Sequence, residues 1–584
     1  MRIRWLFLAI CLLAWLGLLT LVACSTVSPT ATPLSLTLSP MATAPPGPTS
    51  LPPIMTPTPI PEGLTISGIL TDADSPVAGA TVRVRATDNK TTTTADGSFT
   101  LSGLTATTPV SVTAWAEGYF VGWTSAAPGP EPVTITLNPY YTTDNPNYGW
   151  FSMEGTEGSK SCGHCMPAYP EWQADAHSQS AANPRFLTMY NGTDVYGNQS
   201  PPTRYGYSRD YGSFPLRPDP NQPYYGPGYK LDFPNTAGNC ATCHVPAAAA
   251  KPGRAYAADP NQLSSIEAEG VFCEFCHKIG DVTLDPATGL PYPNMPGVLS
   301  MRLYRPEEGK QLFFGNFDDV TRRVSYLPLE EESAFCAPCH FGVFWDTIVY
   351  NSFGEWLESS YSDPETGQTC QDCHMPVAGY DYFVFPEKGG LHRDPNRIFS
   401  HLMPGAMDEE LLQNAVTMTA TARLEGDAVI VGVSITNDKT GHHVPTDSPL
   451  RHLILLVQAT GADGKLLPQL DGPTVPEWGG LGDPSEGYYA GLPGKGFAKI
   501  LEELWTEVSP SGAYWNPTRI LSDNRIAAFA TDTSVYTFAP TEGEVTVEVA
   551  LLFRRAFKEL MDQKGWDVAD ILMEQEVITL SASQ

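Results

Sequence analysis

Between Cys162 and His374 the chain carries five Cys-x-x-Cys pairs: Cys162/Cys165, Cys240/Cys243, Cys273/Cys276, Cys336/Cys339 and Cys370/Cys373. Histidine follows four of them, as His244, His277, His340 and His374, and Met166 follows the first. No hydrophobic pattern in the chain restricts its fold as strongly. Two cysteines three apart on a helical turn share one face, and a histidine one step further points from the same face. That is the attachment signal of haem c, in which each thiol bonds a porphyrin vinyl group and the imidazole ligates the iron. Zinc ribbons do not require a histidine after every pair. A disulfide framework normally includes long-range bridges. Of 12 cysteines, ten sit in the pairs and only Cys11 and Cys24 remain. The reading is haem c, four copies, or five if the first pair is used.

Haem iron held by two histidines carries electrons, whereas chemistry on a substrate needs an open position. The chain has 11 histidines. Four are the proximal set, and His164 lies between the cysteines of the first pair, badly placed to reach that iron. His177, His392, His401, His442, His443 and His452 remain, enough for four distal ligands with little to spare. At the first pair, one reading attaches haem with Met166, or a residue such as Lys160, as ligand. Another leaves the site without haem, its cysteines idle or in a local disulfide.

Arg2 and Arg4 precede an apolar run from Trp5 to Val22, which reads as a signal peptide over residues 1–23. The competing reading is a single membrane anchor. Leu21-Val22-Ala23-Cys24 resembles a bacterial lipobox, in which Cys24 is lipidated. The expected location is extracytoplasmic, periplasmic or at the cell surface, held to the membrane by that lipid anchor. Residues 24–61, rich in Pro, Thr and Ser, read as a semi-extended tether. A formal net charge of −30 argues against a nucleic-acid partner.

The remainder divides into three, giving a multidomain fold class. Residues 62–138 show short alternating runs between Gly, Asp and Pro turns and read as a β-sandwich. The stretch SGILTDADSPVAGATVRVRATDNKTTTTADGSFTLSGL resembles the carboxypeptidase regulatory-like domain; the segment has no Cys or His and so reads as a spacer or adhesion module. Residues 139–408 carry the cysteine pairs and few long amphipathic runs. They read as a haem-packed, mostly α or irregular module, because porphyrins supply much of such a core. Residues 409–584 read as a β-rich sandwich, with strands at Val429–Ile435, Leu453–Val457 and Val545–Leu551 and short helices at Phe557–Met561 and Val568–Met573.

CGHCMPAYPEWQADAHSQSAANPRF, GVFCEFCHKIGDV and FGEWLESSYSDPETGQTCQDCHMP resemble motifs of the multihaem cytochromes c. That group includes the tetrahaem cytochrome of ammonia oxidisers, the pentahaem nitrite reductases and hydroxylamine-oxidising relatives. The resemblance spans about half the chain and implies stacked haems passing electrons along a wire. His177 matches its position after the first motif, His401 the histidine after the last, and His442 that of a Gly-His-x-x-Pro-Thr motif in NDKTGHHVPTDSPLRHLILLV. These three are the distal candidates, with His392 or His443 as the fourth. The leading expectation is an electron-transfer cytochrome that serves redox partner proteins or an extracellular acceptor. The alternative is an oxidoreductase of a small nitrogen or sulfur compound, with an open catalytic haem at Cys162/Cys165. Nitrite reductases of that group also have a deviant first motif, but with lysine where this chain has Met166.

Overall fold

Strand Leu64–Thr71 lies at the centre of a three-stranded sheet, antiparallel to Ser98–Leu104 and parallel to Val133–Thr136. The computed structural model describes residues 63–581 apart from 74, 106, 154, 211, 427, 540 and 541, so the signal peptide, Cys24 and the tether lie outside the described residues. A second sheet, in the order Lys90–Thr92, Thr81–Val84, Val110–Trp115 and Gly122–Ala126, faces the first. Side chains alternate along each strand, so Ile66, Leu70, Val82, Phe99, Leu101, Val112 and Ile135 meet in one core. Gly68 is required there: a Cβ would lie 2.3 Å from the Val133 carbonyl oxygen.

The sandwich is docked on the region that follows it. Arg83 pairs with Asp318 at 2.8 Å, the Trp115 indole donates to Ser325 Oγ at 3.1 Å, and Val121 N donates to Val324 O at 3.0 Å. The contact falls on the parallel strand pair Phe313–Gly315 and Val324–Tyr326.

The cysteine-bearing region is less helical than its sequence suggested. Among the described residues the longest helix of the chain, Pro184–Asn191, has eight residues. Most of the rest is single turns, 3₁₀ segments and hairpins such as Ile279–Val282 with Met301–Leu303. The cause is local: prolines and glycines spaced along this region, such as Pro201, Pro202, Pro223, Pro227, Pro291, Pro293 and Pro296, interrupt helical hydrogen bonding before a second turn can form.

Two further sheets form the C-terminal part. One runs Thr417–Glu425, Ala428–Thr436, Thr531–Phe538, Gln469–Asp471; the other runs Thr518–Asp523, Gly494–Glu503, His452–Gly461, Val545–Arg554, Ile571–Leu580. Leu453, Leu455 and Val457 on one strand meet Val429, Val431 and Val433 on another, and this face-to-face contact is the main core. The helix expected near Phe557 is present as Lys558–Lys564. The one expected over Val568–Met573 is absent, because Ile571 begins an edge strand that pairs along Val545–Arg554. Its apolar residues satisfied either period, and the neighbouring strand decided between them.

Candidate functional site

Each Cys-x-x-Cys-His segment closes a single turn, helical at Ala241–His244, Cys273–Cys276 and Cys370–His374, and a non-helical turn at Cys336–His340 after the 3₁₀ segment Ser333–Phe335. His244 N bonds Cys240 O at 3.0 Å, His277 N bonds Cys273 O at 3.1 Å and His340 N bonds Cys336 O at 3.2 Å. Helix Cys370–His374 carries the last motif behind a capping box of Thr369 and Asp372, with Cys373 on its exposed side.

The first pair follows this pattern only in part. Met166 N bonds Cys162 O at 3.0 Å, as the motif histidines do. Helix Ser159–Gly163 holds Cys162 but ends before Cys165, which corrects the expectation of both thiols on one helix. Cys165 lies in the turn beyond, half-buried, with its N–H on Cys162 O at 3.0 Å and its carbonyl accepting from Phe385 N at 2.8 Å. Pro167 is the reason: it has no N–H to continue the helix and disfavours helical backbone at Met166 before it.

The turns are brought together in a definite order. The Cys162 thiol lies beside Cys273, that of Cys243 beside Cys339, and that of Cys336 beside Cys370. Cys276 is close enough to Cys336 and Cys339 to influence both. The Cys336/Cys339 turn is therefore the junction, with the second, third and fifth motifs around it and the first beyond the third.

Three histidines from outside the motifs face three within them. The rings of His277 and His401 have centroids 6.4 Å apart, those of His374 and His442 6.4 Å, and those of His340 and His177 6.3 Å. Two imidazoles bound on opposite sides of one iron, each at about 2.0 Å, place their ring centroids roughly 6 Å apart. A direct hydrogen bond or a stacked pair would be closer. Among the described residues no three Cys, His, Asp or Glu side chains converge as a metal-ion cage, so the donor set fits an iron already held in a macrocycle better than a bare ion.

Each of these rings has its Nδ1 engaged, so Nε2 is the nitrogen that could serve a metal. His374 Nδ1 meets Pro404 O at 2.7 Å, His442 Nδ1 meets His443 O at 3.0 Å, and His401 Nδ1 meets Phe399 O at 3.3 Å. His277 Nδ1 meets Phe314 O at 2.9 Å and Glu330 at 3.2 Å. His340 and His177 both meet carboxylates, Asp447 at 2.9 Å and Asp175 at 2.7 Å. Burial alone would depress His277 and His340, but Glu330 and Asp447 outweigh it and hold both at about 9. Burial, helped by neighbouring histidines, keeps His401 and His374 below the ordinary histidine value against the pull of their backbone carbonyls and of Glu171 and Glu330 at His401 and Asp447 at His374.

His244 differs. Its Nδ1 meets Ser180 O at 3.0 Å, and Phe186 stacks on the ring at 3.8 Å and 6°. Among the described residues no histidine faces it as in the other three pairs. His392 is on the surface with Asp381 at 2.9 Å, and His443 leans on Glu355 at 3.4 Å. His452 is wholly buried, stacked on Phe557 at 4.9 Å, and burial followed by the Arg554 charge lowers it to about 3. Met166 and Lys160 both lie exposed beside the first pair, and His164 Nε2 meets Lys388 Nζ at 3.1 Å.

The carboxylates Asp175, Glu330 and Asp447 were not singled out from the sequence. Asp175, two residues before His177, was findable, since a short polar residue at that spacing often folds back on its neighbour. Asp447 and Glu330 arrive through tertiary contacts and leave no local signal.

Residues 65–138 match the carboxypeptidase regulatory-like domain model. Among solved structures, the chain is similar to a penta-heme cytochrome c552 from Thermochromatium tepidum at 18% identity, covering 73% of this chain and 99% of that one, with a TM-score of 0.48. The Fcho1 Mu homology domain of Danio rerio, solved with a bound Eps15 peptide, aligns at 9% identity over 29% of this chain and 44% of that one, with a TM-score of 0.11. No curated protein matches the sequence.

Proposed function

We propose that this chain is a multihaem c-type cytochrome that relays electrons outside the cytoplasm. The observation that carries the reading is the spacing of the three histidine pairs, His277/His401, His374/His442 and His340/His177, each coupled to a Cys-x-x-Cys turn. The ten motif cysteines would hold the porphyrins by thioether bonds, and the paired imidazoles would take both axial positions of three irons. When bound, haem c supplies reversible one-electron transfer. The protein's part is to fix the imidazoles, exclude water and bring the turns within reach of one another. In this scheme the Cys336/Cys339 haem is a junction rather than a terminus.

The lipidated Cys24 and the tether of residues 24–61 complete the proposal. They would hold the module at a membrane surface, where redox proteins or an extracellular acceptor exchange electrons with it. The oxidoreductase reading keeps one observation in its favour: among the described residues no histidine faces His244. That moves its candidate open haem from the first motif to the second.

Intact mass of protein from a host that matures c-type cytochromes tests the reading directly. Four or five porphyrin increments are expected, and a mass equal to the bare polypeptide would reject it. The carboxylates give a second expectation. A carboxylate on Nδ1 makes the imidazole a stronger donor and favours ferric iron. The His340/His177 haem has one on both sides, so it should have the lowest potential of the three bis-histidine haems. Asp447→Asn and Asp175→Asn should each raise one midpoint, by on the order of 50 mV, in a spectroelectrochemical titration. Unmoved midpoints in both variants would remove this role.

A further inference from the structure

Most buried arginines of this chain sit against a carboxylate. Arg83 has Asp318, Arg305 has Asp144, Arg393 has Asp319, Arg525 has Glu355 and Asp523, and Arg554 has Asp570. Arg185, Arg451 and Arg555 do not, nor do the half-buried Arg85 and Arg397: among the described residues none of the five has an acidic side chain within ion-pair distance, and the first three also repel one another. In a chain with 64 acidic and 34 basic residues, three half-buried arginines that repel one another without such a partner need an explanation.

The fold gathers them. His452 pairs with Arg554 across two antiparallel strands, so Arg451 and Arg555, the next residue on each, leave the same end of the sheet side by side. Arg185, in the first turn of Pro184–Asn191, lies over the Trp566 ring at 5.8 Å. Burial and then mutual repulsion push Arg185 and Arg555 down to about 10. Arg451 gives one hydrogen bond to Thr446 O at 3.2 Å and its charge is felt by Asp447, which already serves His340.

The residues beside the three arginines pack at the exceptional motif. Phe186, next to Arg185, is the ring stacked on His244. Leu450 and Ala556, next to Arg451 and Arg555, share one apolar cluster with Phe186 and Cys240. Guanidinium groups crowded in a partly dry place repel one another, an anion among them relieves that repulsion, and their forked donors match planar oxyanions.

We propose that Arg185, Arg451 and Arg555 form a seat for an oxyanion at the edge of the haem carried by Cys240, Cys243 and His244. This rests on the haem reading above. The oxyanion has two sources, the propionate carboxylates of that haem or a small free anion that reaches it from solvent.

The test uses the full-length holoprotein, with haem content counted first by intact mass, so that a failure of the haem reading shows separately. Nitrite and sulfite are titrated against the ferric wild type and an Arg451→Gln/Arg555→Gln double variant, and each haem midpoint is measured in both. A free-anion seat gives a saturable spectral change in the wild type. The double variant weakens it roughly ten- to hundredfold, and the corresponding Arg→Lys pair restores much of it. A propionate seat gives no anion response, but the double variant lowers one midpoint only, because loss of positive charge favours ferric iron. If the double variant loses its haem, Arg185→Gln, on the first turn of a helix, is read in the same way. Full haem content with neither an anion response nor a single shifted midpoint overturns the seat and leaves the electron-transfer reading standing.

Discussion

Replacing His401, His442 or His177 with alanine, one at a time, is expected to turn one low-spin haem high-spin in each variant. Each imidazole faces a motif histidine at 6.3 to 6.4 Å and is backed at Nδ1, so each is the sixth ligand of one iron under the proposal. Alanine leaves that iron five-coordinate and open to carbon monoxide. Bound carbon monoxide should rise by about one equivalent per variant over the wild type, and the His401→Ala/His442→Ala pair should add about two. The matched controls are His392→Ala and His443→Ala, whose side chains face carboxylates and not a motif histidine. His452→Ala makes a third control of a different kind. It opens a core cavity between Trp478 and Phe557 and lowers stability, but leaves every spin state unchanged. Magnetic circular dichroism with carbon monoxide titration reads all six. The ligand assignment fails if the first three behave like the controls.

The contrast among these histidines shows what the sequence could carry. The Cys-x-x-Cys-His turns are local, so spacing alone revealed them, and the structure builds each as the single turn that spacing implies. His177, His401 and His442 stood out by scarcity and resemblance. Which motif each would face was not legible, because those contacts are long-range: His177 meets the fourth motif, not the first pair that precedes it. The N-terminal sandwich was legible because its strands alternate in sequence, as at Ile66 and Leu101, whose neighbours are more exposed than they are; Val82 and Val112 instead have a buried polar neighbour, Arg83 and Thr113. The cysteine-bearing region was not, since its elements are too short to show a period. The arginine seat needed the register of His452 with Arg554, which nothing near either residue announces. The same holds for Asp447 and Glu330, whose function depends on where the chain returns rather than on its local pattern.

Glu355 tests that dependence on the returning chain. It sits on helix Ser352–Leu357 with its side chain 1% exposed, and it anchors the loop that follows His442. Its carboxylate accepts from Thr446 Oγ1 at 2.5 Å and from the His443 backbone N–H at 3.1 Å, and it pairs with Arg525 at 2.8 Å. Burial opposes its ionisation, but His443 and Arg525 outweigh burial and hold it down at about 2. Glu355→Ala strips these partners at once and leaves Arg525 with Asp523 and the Pro445 carbonyl. Removing one member of a buried pair costs about 3–5 kcal/mol, and the remaining Asp523 contact argues for about 3. Urea unfolding at pH 7 should show that loss. The spectrum should show a high-spin fraction at the His374/His442 haem, because the loop no longer holds His442 in place. The acid side gives an independent reading. A carboxylate whose folded pKa lies below its unfolded value, about 4.3, contributes stability that is fully present above that value. The contribution disappears as pH falls through the folded pKa of about 2. The wild type should therefore lose stability between those limits, and Glu355→Gln should have a shallower slope there. A Glu355→Ala variant within about 0.5 kcal/mol of wild type, with His442 still ligating, would mean the loop is held by its own backbone contacts and not by this buried charge.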